Sequence, residues 1–288
     1  MTTTTHHTGT MVTEQDTKFQ PTVLSVAGSD PTGGAGIQAD LKTMTSIGVY
    51  GAAAITCLTV QNASGVSVIE PVSGDLVAKQ VRAVLSDYRV SHIKIGMVGN
   101  LEIARALSEV LDDFQGQVIY DPVMSASSGH TLTQLGAPGE LHQSLISRVS
   151  ILTPNRDELA WISGQKVNNI SQAVDAARVI LARHSDHQLQ AVIIKGGHLE
   201  NDSSMISDLL IRPDSEPLRN TRQRRQGAKL HGTGCTYASA LSSYLALGHE
   251  LCEAFSLAGA YMEQIIQVSL VNHFCLHNSS LPLLHHLA

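Results

Sequence analysis

From Pro21 onward the chain alternates short apolar runs with stretches whose apolar residues recur every three or four positions. The runs Thr22–Ala27, Ala53–Val60, Ser67–Ile69, His92–Ile95, Gln117–Asp121, Val149–Leu152, Ala191–Lys195 and Ile206–Ile211 predict strands. Several are unbroken rather than alternating, such as QAVIIK ending at Lys195, as strands covered on both faces tend to be. Ile37, Leu41, Met44 and Ile47 fall on one helical face, and Gly48 ends that segment. Leu76, Val77, Val81, Val84 and Leu85 repeat the pattern behind a Ser73 cap, as do Ala173, Ala177, Ile180 and Leu181 further on. Two more helices are predicted from about Thr233 to Leu247 and from Leu251 to Leu270. Strand–helix alternation of this kind implies an α/β domain with a mostly parallel central sheet and helices on both faces. Residues 21–288 contain no internal repeat or long linker, so a single domain is expected. Residues 1–20 are polar and Thr-rich and read as a disordered leader without the features of a signal peptide.

Composition narrows the function classes. Hydrophobic residues make up 43% of the 288 and charged residues 15%, which excludes a disordered chain. A net charge of −6 argues against nucleic acid or an anionic membrane as the main partner. No apolar run reaches the ~18 residues of a membrane span. The four cysteines Cys57, Cys235, Cys252 and Cys275 form no C-x-x-C pair and fit neither a zinc site nor a small disulfide framework. They read as reduced thiols and suggest the cytoplasm. The histidine doublets His6-His7 and His285-His286 read as solvated tails.

Twenty-three glycines are the unusual feature, and they cluster after predicted strands. In doubly wound sheets ligands bind beyond the carboxyl ends of the strands, so those clusters are where chemistry is sought. The first strand leads into Gly28-Ser29-Asp30-Pro31-Thr32-Gly33-Gly34-Ala35-Gly36 and then a helix. A dinucleotide fingerprint fails here: several residues separate the strand from its glycines, and no acid lies between Asp40 and Glu70 to hold a ribose. The Walker pattern is absent throughout. His231-Gly232-Thr233-Gly234-Cys235-Thr236 opens a long helix, where converging backbone N–H groups would cradle phosphate charge. A cysteine in such a first turn is expected to carry a lowered pKa and a sizeable thiolate fraction, unless it is simply a buried helix-start thiol.

Asn155 and Glu158 form an N-x-x-E capping box after a strand, a pattern that also suits a carboxylate facing magnesium. Lys195 precedes Gly196-Gly197 at a strand end, placed either as a solvated lysine or to neutralise transferred phosphate. Asp121, also at a strand end, is a candidate for holding Mg²⁺ through water. The basic run Arg219, Arg222, Arg224, Arg225 and Lys229 reads first as a solvated loop, with nucleotide attraction second.

Taken in order, GSDPTGGAGIQADLKT, AITCLTVQN, KIGM, DPVM, LTPNRDE, IIKGGH and HGTGCT resemble the hydroxymethylpyrimidine/phosphomethylpyrimidine kinases of thiamine biosynthesis, within the ribokinase-like superfamily. The resemblance runs from about Val23 to Leu270. It implies a ribokinase-like domain, ATP and Mg²⁺, and successive phosphorylation of a pyrimidine alcohol and its monophosphate. Pyridoxal kinase, a relative with a similar heteroaromatic alcohol, is the alternative. By resemblance the pyrimidine would be held by Gln61 and Asp40, with Gly28, Met97 and Val123 lining its pocket. Cys235 and Lys195 would act in catalysis, and Asn155, Lys195, Gly232, Thr233 and Gly234 would contact the nucleotide. Glu158 and Asp121 would face the metal. A homo-oligomer, with a dimer first, is expected.

Overall fold

The computed structural model describes residues 19–62, 65–124, 143–198, 204–225, 230–271, 284 and 286. Its strands are β1 (Thr22–Ser29), β2 (Tyr50–Asn62), β3 (Gly65–Pro71), β4 (Val90–Ile95), β5 (Gln117–Tyr120), β6 (Ile151–Leu152), β7 (Ala191–Ile194), β8 (Met205–Ile211) and β9 (Leu218–Gln223). Its helices are α1 (Gly36–Ile47), α2 (Gly74–Asp87), α3 (Leu101–Leu111), α4 (Arg156–Ser163), α5 (Ile170–Arg183), α6 (Thr233–Ala246) and α7 (Leu251–Val271). All the strands join one sheet in the order β3-β2-β1-β4-β5-β6-β7-β8-β9. The run from β2 to β7 is parallel, while β3, β8 and β9 pair antiparallel at the two edges.

The unbroken apolar strands are explained by two cores. Val118, Tyr120, Leu152, Val192 and Ile194 face one layer, packed with residues of α2, α3, α4 and α5. Their neighbours Ile119, Ile151, Ala191 and Ile193 face the other, against Tyr237, Leu241, Phe255 and Met262 of α6 and α7. Because successive side chains on a strand point to opposite faces, both sets must be apolar.

Local signals end the helices where the sequence places them. Gly48 takes a left-handed conformation at φ 94° after α1, and the Ser73 side chain accepts a hydrogen bond from the Leu76 amide at the start of α2. Asn100 and Asn169 cap α3 and α5 in the same way. Helix α3 is an addition to the helices singled out from periodicity.

Two expectations are corrected. The basic run is no solvated loop over Leu218–Gln223: that segment is β9, paired with β8. Arg222 forms a largely buried ion pair with Asp208, and Arg219 donates to Ser207 Oγ at 2.6 Å. A strand written LRNTRQ carries no apolar alternation, so only its partner strand, with Asp208 at 1% exposure, reveals it. His286 is no solvated tail residue either. It is 3% exposed and bonds Thr236 Oγ1 at 3.0 Å, beside Leu284, which joins the α6–α7 core. His6, His7, His285, Cys275, Lys229 and residues 1–18 of the expected leader lie outside the described residues.

Strand β1 lies between β2 and β4, so the chain builds the sheet outward from β1 in both directions. Loops leaving the carboxyl ends on either side of such a reversal diverge and open a crevice. The segments after β1, β4, β5, β6 and β7 all emerge at this edge. No helix among the described residues is long and apolar enough to cross a membrane.

Candidate active site

Two glycine turns interlock at the crevice. Gly36 has φ +57°, and a Cβ there would sit 2.2 Å from Gly28 O. Gly232 has φ +86°, and a Cβ there would sit 1.8 Å from Gly34 O. No other residue type fits either position, because both the backbone region and the space exclude a side chain. The start of α6 is thereby pressed onto the turn that follows β1.

The first turn of α6 faces a charged cluster drawn from three other strand ends. Lys195, just beyond β7, pairs with Asp121, just beyond β5, and lies 3.7 Å from Glu158 Oε2 in the first turn of α4. A Cβ at Gly234 would stand 3.3 Å from Lys195 Nζ and 3.6 Å from Asp121 Oδ2, so the α6 backbone touches this cluster. Backbone bonds hold the two strand-end residues in register, Asp121 N–H to Ile95 O at 2.8 Å and Lys195 N–H to Pro154 O at 2.9 Å. Glycine at position 234 leaves room for the lysine to reach over the helix end.

Charge in the cluster is set by burial and by the neighbours. Burial works against the Lys195 ammonium, yet Asp121 and Glu158 outweigh it and raise its pKa, so the lysine stays charged. Glu158 is 5% exposed, and burial pushes its carboxyl up to about 7, with Lys195 opposing and Asp121 adding to the rise. A folded-state pKa above the ordinary carboxyl value means the native state binds more protons than the unfolded chain between about pH 4.5 and 7. The stability of the ligand-free protein should therefore decline as pH rises through that window. Thermal melts from pH 5 to 8 test this, and Glu158→Gln should flatten the slope; an unchanged slope in that variant would remove Glu158 as the cause.

Asp121 is wholly buried and accepts from Thr153 Oγ1 at 3.2 Å and from Lys195 through Oδ1, while its Oδ2 has no hydrogen-bond partner. An orphaned carboxylate oxygen in a buried cleft suits a cation, since leaving it unsatisfied is costly. Among the described residues no three His, Cys, Asp or Glu side chains gather as a metal cage. Mg²⁺ keeps waters and takes one or two carboxylates together with substrate phosphates, and Asp121 with its partnerless Oδ2 is a donor of that kind. The capping box at Asn155 and Glu158 is real. Asn155 Oδ1 accepts from the Asp157 and Glu158 amides, each at 2.9 Å, and Glu158 Oε2 accepts from the Asn155 amide at 2.7 Å. Glu158 thus reaches the Lys195 cluster while capping its helix.

The expected thiolate at Cys235 is corrected. Burial pushes this thiol up to about 11, with the Asp40 and Asp121 carboxylates adding to the rise. Lys94 and the Gly36 N–H oppose it without prevailing, so the helix terminus is not the dominant influence. Cys235 is half-buried and protonated in the ligand-free protein.

Asp40 is closed off from the crevice in the ligand-free protein. It is 0% exposed, and both oxygens are engaged by Lys94 Nζ at 2.9 and 2.8 Å, Ser239 Oγ at 2.7 Å and Ser25 Oγ at 2.6 Å. The expectation of direct contact is therefore replaced: Asp40 braces β1, β4, α1 and α6 from beneath. Ser239 lies one helical turn past Cys235 on α6, so the brace sits under the thiol's face of the helix.

On the substrate side Met97 packs with Cys57 and Val66, and Val123 lies against that group. Gly28 joins them, since a Cβ there would lie 3.2 Å from Met97 Sδ. Gln61 pairs across the β2–β3 hairpin with Val66, and its Nε2 lies 2.7 Å from His231 Nε2. Gly28, Met97, Val123 and Gln61 thus lie along one wall. Sequence reasoning assigned no roles to Lys94, Asp30 and His231. Lys94 was signalled by a charge between Ile93 and Ile95 in an otherwise apolar strand and by its place at the head of the KIGM motif.

Solved structures with this architecture include the pyridoxal kinase from Staphylococcus aureus in complex with pyridoxal, 31% identical with TM-score 0.79, covering 94% of this chain and 95% of that one. The phosphomethylpyrimidine kinase from Clostridium difficile 630 is 36% identical with TM-score 0.72, covering 86% and 100%. The fold and site define a ribokinase-like small-molecule kinase. The phosphomethylpyrimidine kinase family matches residues 30–282. A hydroxymethylpyrimidine/phosphomethylpyrimidine kinase from Rhizobium meliloti strain 1021 is 39% identical over 246 residues, 85% of this chain and 90% of its own length. One from Bacillus subtilis strain 168 is 34% identical over 272 residues, 90% and 96% of the two chains. This chain belongs to the phosphomethylpyrimidine kinase family.

Proposed function

We propose that this kinase transfers the γ-phosphoryl group of ATP first to the hydroxymethyl group of 4-amino-5-hydroxymethyl-2-methylpyrimidine and then to the resulting monophosphate, in thiamine biosynthesis. The observation that carries the reading is the meeting of Lys195, Asp121 and Glu158 with the first turn of α6, beside the wall formed by Gly28, Met97, Val123 and Gln61.

In this reading the amides of Gly232, Thr233, Gly234 and Cys235 stabilise charge developing on the transferring phosphoryl oxygens, and Lys195 neutralises it from the opposite side. Asn155 contacts the nucleotide phosphates next to its own helix cap. Asp121 and Glu158 would hold Mg²⁺, which when bound neutralises phosphate charge. In its minority thiolate form Cys235 receives the alcohol proton in the first step, where the alcohol is otherwise a weak nucleophile. The monophosphate in the second step is already anionic and needs no base. A homodimer and a cytoplasmic location belong to the same reading, the latter supported by the free thiols of Cys57, Cys235 and Cys252.

The direct test is ATP consumption with the pyrimidine alcohol and, separately, with its monophosphate. Turnover of neither acceptor by folded protein would reject the proposal. Gln61 provides a sharper check, because a site built to pair with a ring nitrogen and an amine loses that pairing in Gln61→Leu. Binding of the aminopyrimidine should weaken by on the order of tenfold or more. An unchanged dissociation constant by calorimetry would remove Gln61 from recognition. The close likeness to a pyridoxal kinase supports a second reading, in which pyridoxal is also phosphorylated. Rates with both alcohols from a single preparation distinguish one substrate from two.

A further inference from the structure

Gln61, His231 and Asp30 come from β2, the α6 entry turn and the β1 turn, and they form a chain through a single atom. His231 Nε2 lies 2.7 Å from Gln61 Nε2 and 3.1 Å from Asp30 Oδ2. A ring nitrogen carries either a proton or a lone pair, so it cannot donate to the carboxylate and accept from the amide together. The two neighbours therefore compete to set its state.

Asp30 is the stronger partner. Its side chain is 4% exposed, its Oδ1 accepts from Thr32 N and Oγ1 at 2.9 and 2.8 Å, and its Oδ2 accepts from Ala35 N at 2.8 Å. Burial alone would favour the neutral acid, but the bonds from His231 and Thr32 outweigh it and keep the carboxyl below its ordinary range. A carboxylate so held favours a proton on His231 Nε2, because charge-assisted bonds are about twice as strong as neutral ones. With that proton in place the end of Gln61 beside the imidazole must be the carbonyl, reached by a half-turn of the amide. Thr59 Oγ1, 3.4 Å from the other end of the amide, already donates its one hydrogen to Ser29 O at 2.9 Å, so it accepts there and suits the NH₂.

The geometry points to His231, held by Asp30, as the residue that fixes which end of the Gln61 amide a substrate meets. The carbonyl keeps one lone pair for an exocyclic amine while the other shares His231 Nε2–H with Asp30 Oδ2 in a bifurcated bond, and an NH₂ hydrogen is left for an adjacent ring nitrogen. His231 and Asp30 are then specificity-determining positioning residues for amino-substituted heteroaromatic alcohols. The inference rests on the recognition role proposed for Gln61 and adds the device that orients it. His231 also directly precedes Gly232, whose contact with Gly34 holds the same two turns together.

The test is the ratio of dissociation constants, by calorimetry, for the aminopyrimidine alcohol and its analogue lacking the 4-amino group. It is measured in the wild type, His231→Phe, His231→Gln, Asp30→Asn and Gln61→Leu. In His231→Phe the amide is free to turn, and the preference for the amino compound should fall about tenfold while the KM for ATP stays within about twofold. His231→Gln, which supplies a donor for Asp30, should recover most of the preference. Equal weakening of both compounds in His231→Phe would mean a purely structural role and overturn the inference. So would an intact preference in His231→Phe when Gln61→Leu abolishes it, with the Gln61 reading surviving. If Gln61→Leu leaves the preference intact, the recognition reading itself falls and His231 with it. Should His231→Phe fail to fold, Asp30→Asn carries the same decision, a reduced preference supporting the inference and an intact one overturning it.

Discussion

At pH 10, Cys235→Ala is expected to slow phosphorylation of the pyrimidine alcohol by about tenfold or more, while phosphorylation of the monophosphate falls only a few-fold, and towards pH 7 the loss with the alcohol shrinks as the thiolate disappears. The asymmetry follows from the acceptors, because a positioned base contributes about 10²–10⁴-fold where a neutral hydroxyl attacks and little where the nucleophile is already an anion. Its pH dependence follows from burial. A thiol whose pKa is pushed up to about 11 is thiolate in only about one molecule in ten thousand at pH 7. Each unit of rising pH below that value multiplies the thiolate by about ten. For the alcohol, kcat/KM reports the free enzyme and should climb steeply from pH 7 to 10, whereas the monophosphate reaction should lack that climb. Equal losses in both reactions of Cys235→Ala, or an alcohol profile without the rise, would reduce Cys235 to a packing residue.

Lys94→Met should be severely destabilising. Lys94 and Asp40 are both 0% exposed and 2.8 Å apart, and the substitution leaves a buried carboxylate with only the hydroxyls of Ser25 and Ser239. Breaking a buried pair from one side costs about 3–5 kcal/mol, because the surviving charge is uncompensated. In a chain of this size the melting temperature should drop by on the order of 10 °C. Lys94→Met combined with Asp40→Leu removes both charges and should recover most of that loss. A melting temperature unchanged in Lys94→Met would show that the carboxylate is not strongly dependent on its lysine. A pair so easily exchanged for apolar residues contributes little net stability. Its value lies in position: it joins β1, β4, α1 and α6 beneath the catalytic turn and brings a cation that opposes the rise in the Cys235 pKa.

Much of this architecture was legible from local pattern. Unbroken apolar runs marked strands covered on both faces, and Gly48, Ser73 and Asn155 act at helix ends as their residue types imply. The glycine turns were visible as motifs, and the family resemblance attached roles to Gln61, Lys195 and Cys235. Strand β9 was not legible, because an edge strand of arginines and short polar residues takes its conformation from β8 rather than from its own periodicity. His286 looked like a tail residue, yet it is buried against Thr236 across a separation of 50 residues. The protonation of Cys235 was misjudged for a related reason. Position in a first helical turn is a local property, whereas desolvation and the carboxylates of Asp40 and Asp121 depend on what packs around it.

The sequence by itself determined the class of fold, the strand and helix order and the stations where chemistry gathers, since periodicity, caps and glycine turns act over a few residues. Only the tertiary structure decided what each charged group touches. It withdrew Asp40 from the crevice into a buried brace, orphaned one oxygen of Asp121, and raised the pKa of both Glu158 and Cys235. It also joined Asp30, His231 and Gln61 through one nitrogen, across separations of 201 and 170 residues. Burial and electrostatic coupling depend on distances through space, and those are set only when the sheet has brought distant strand ends to a single edge.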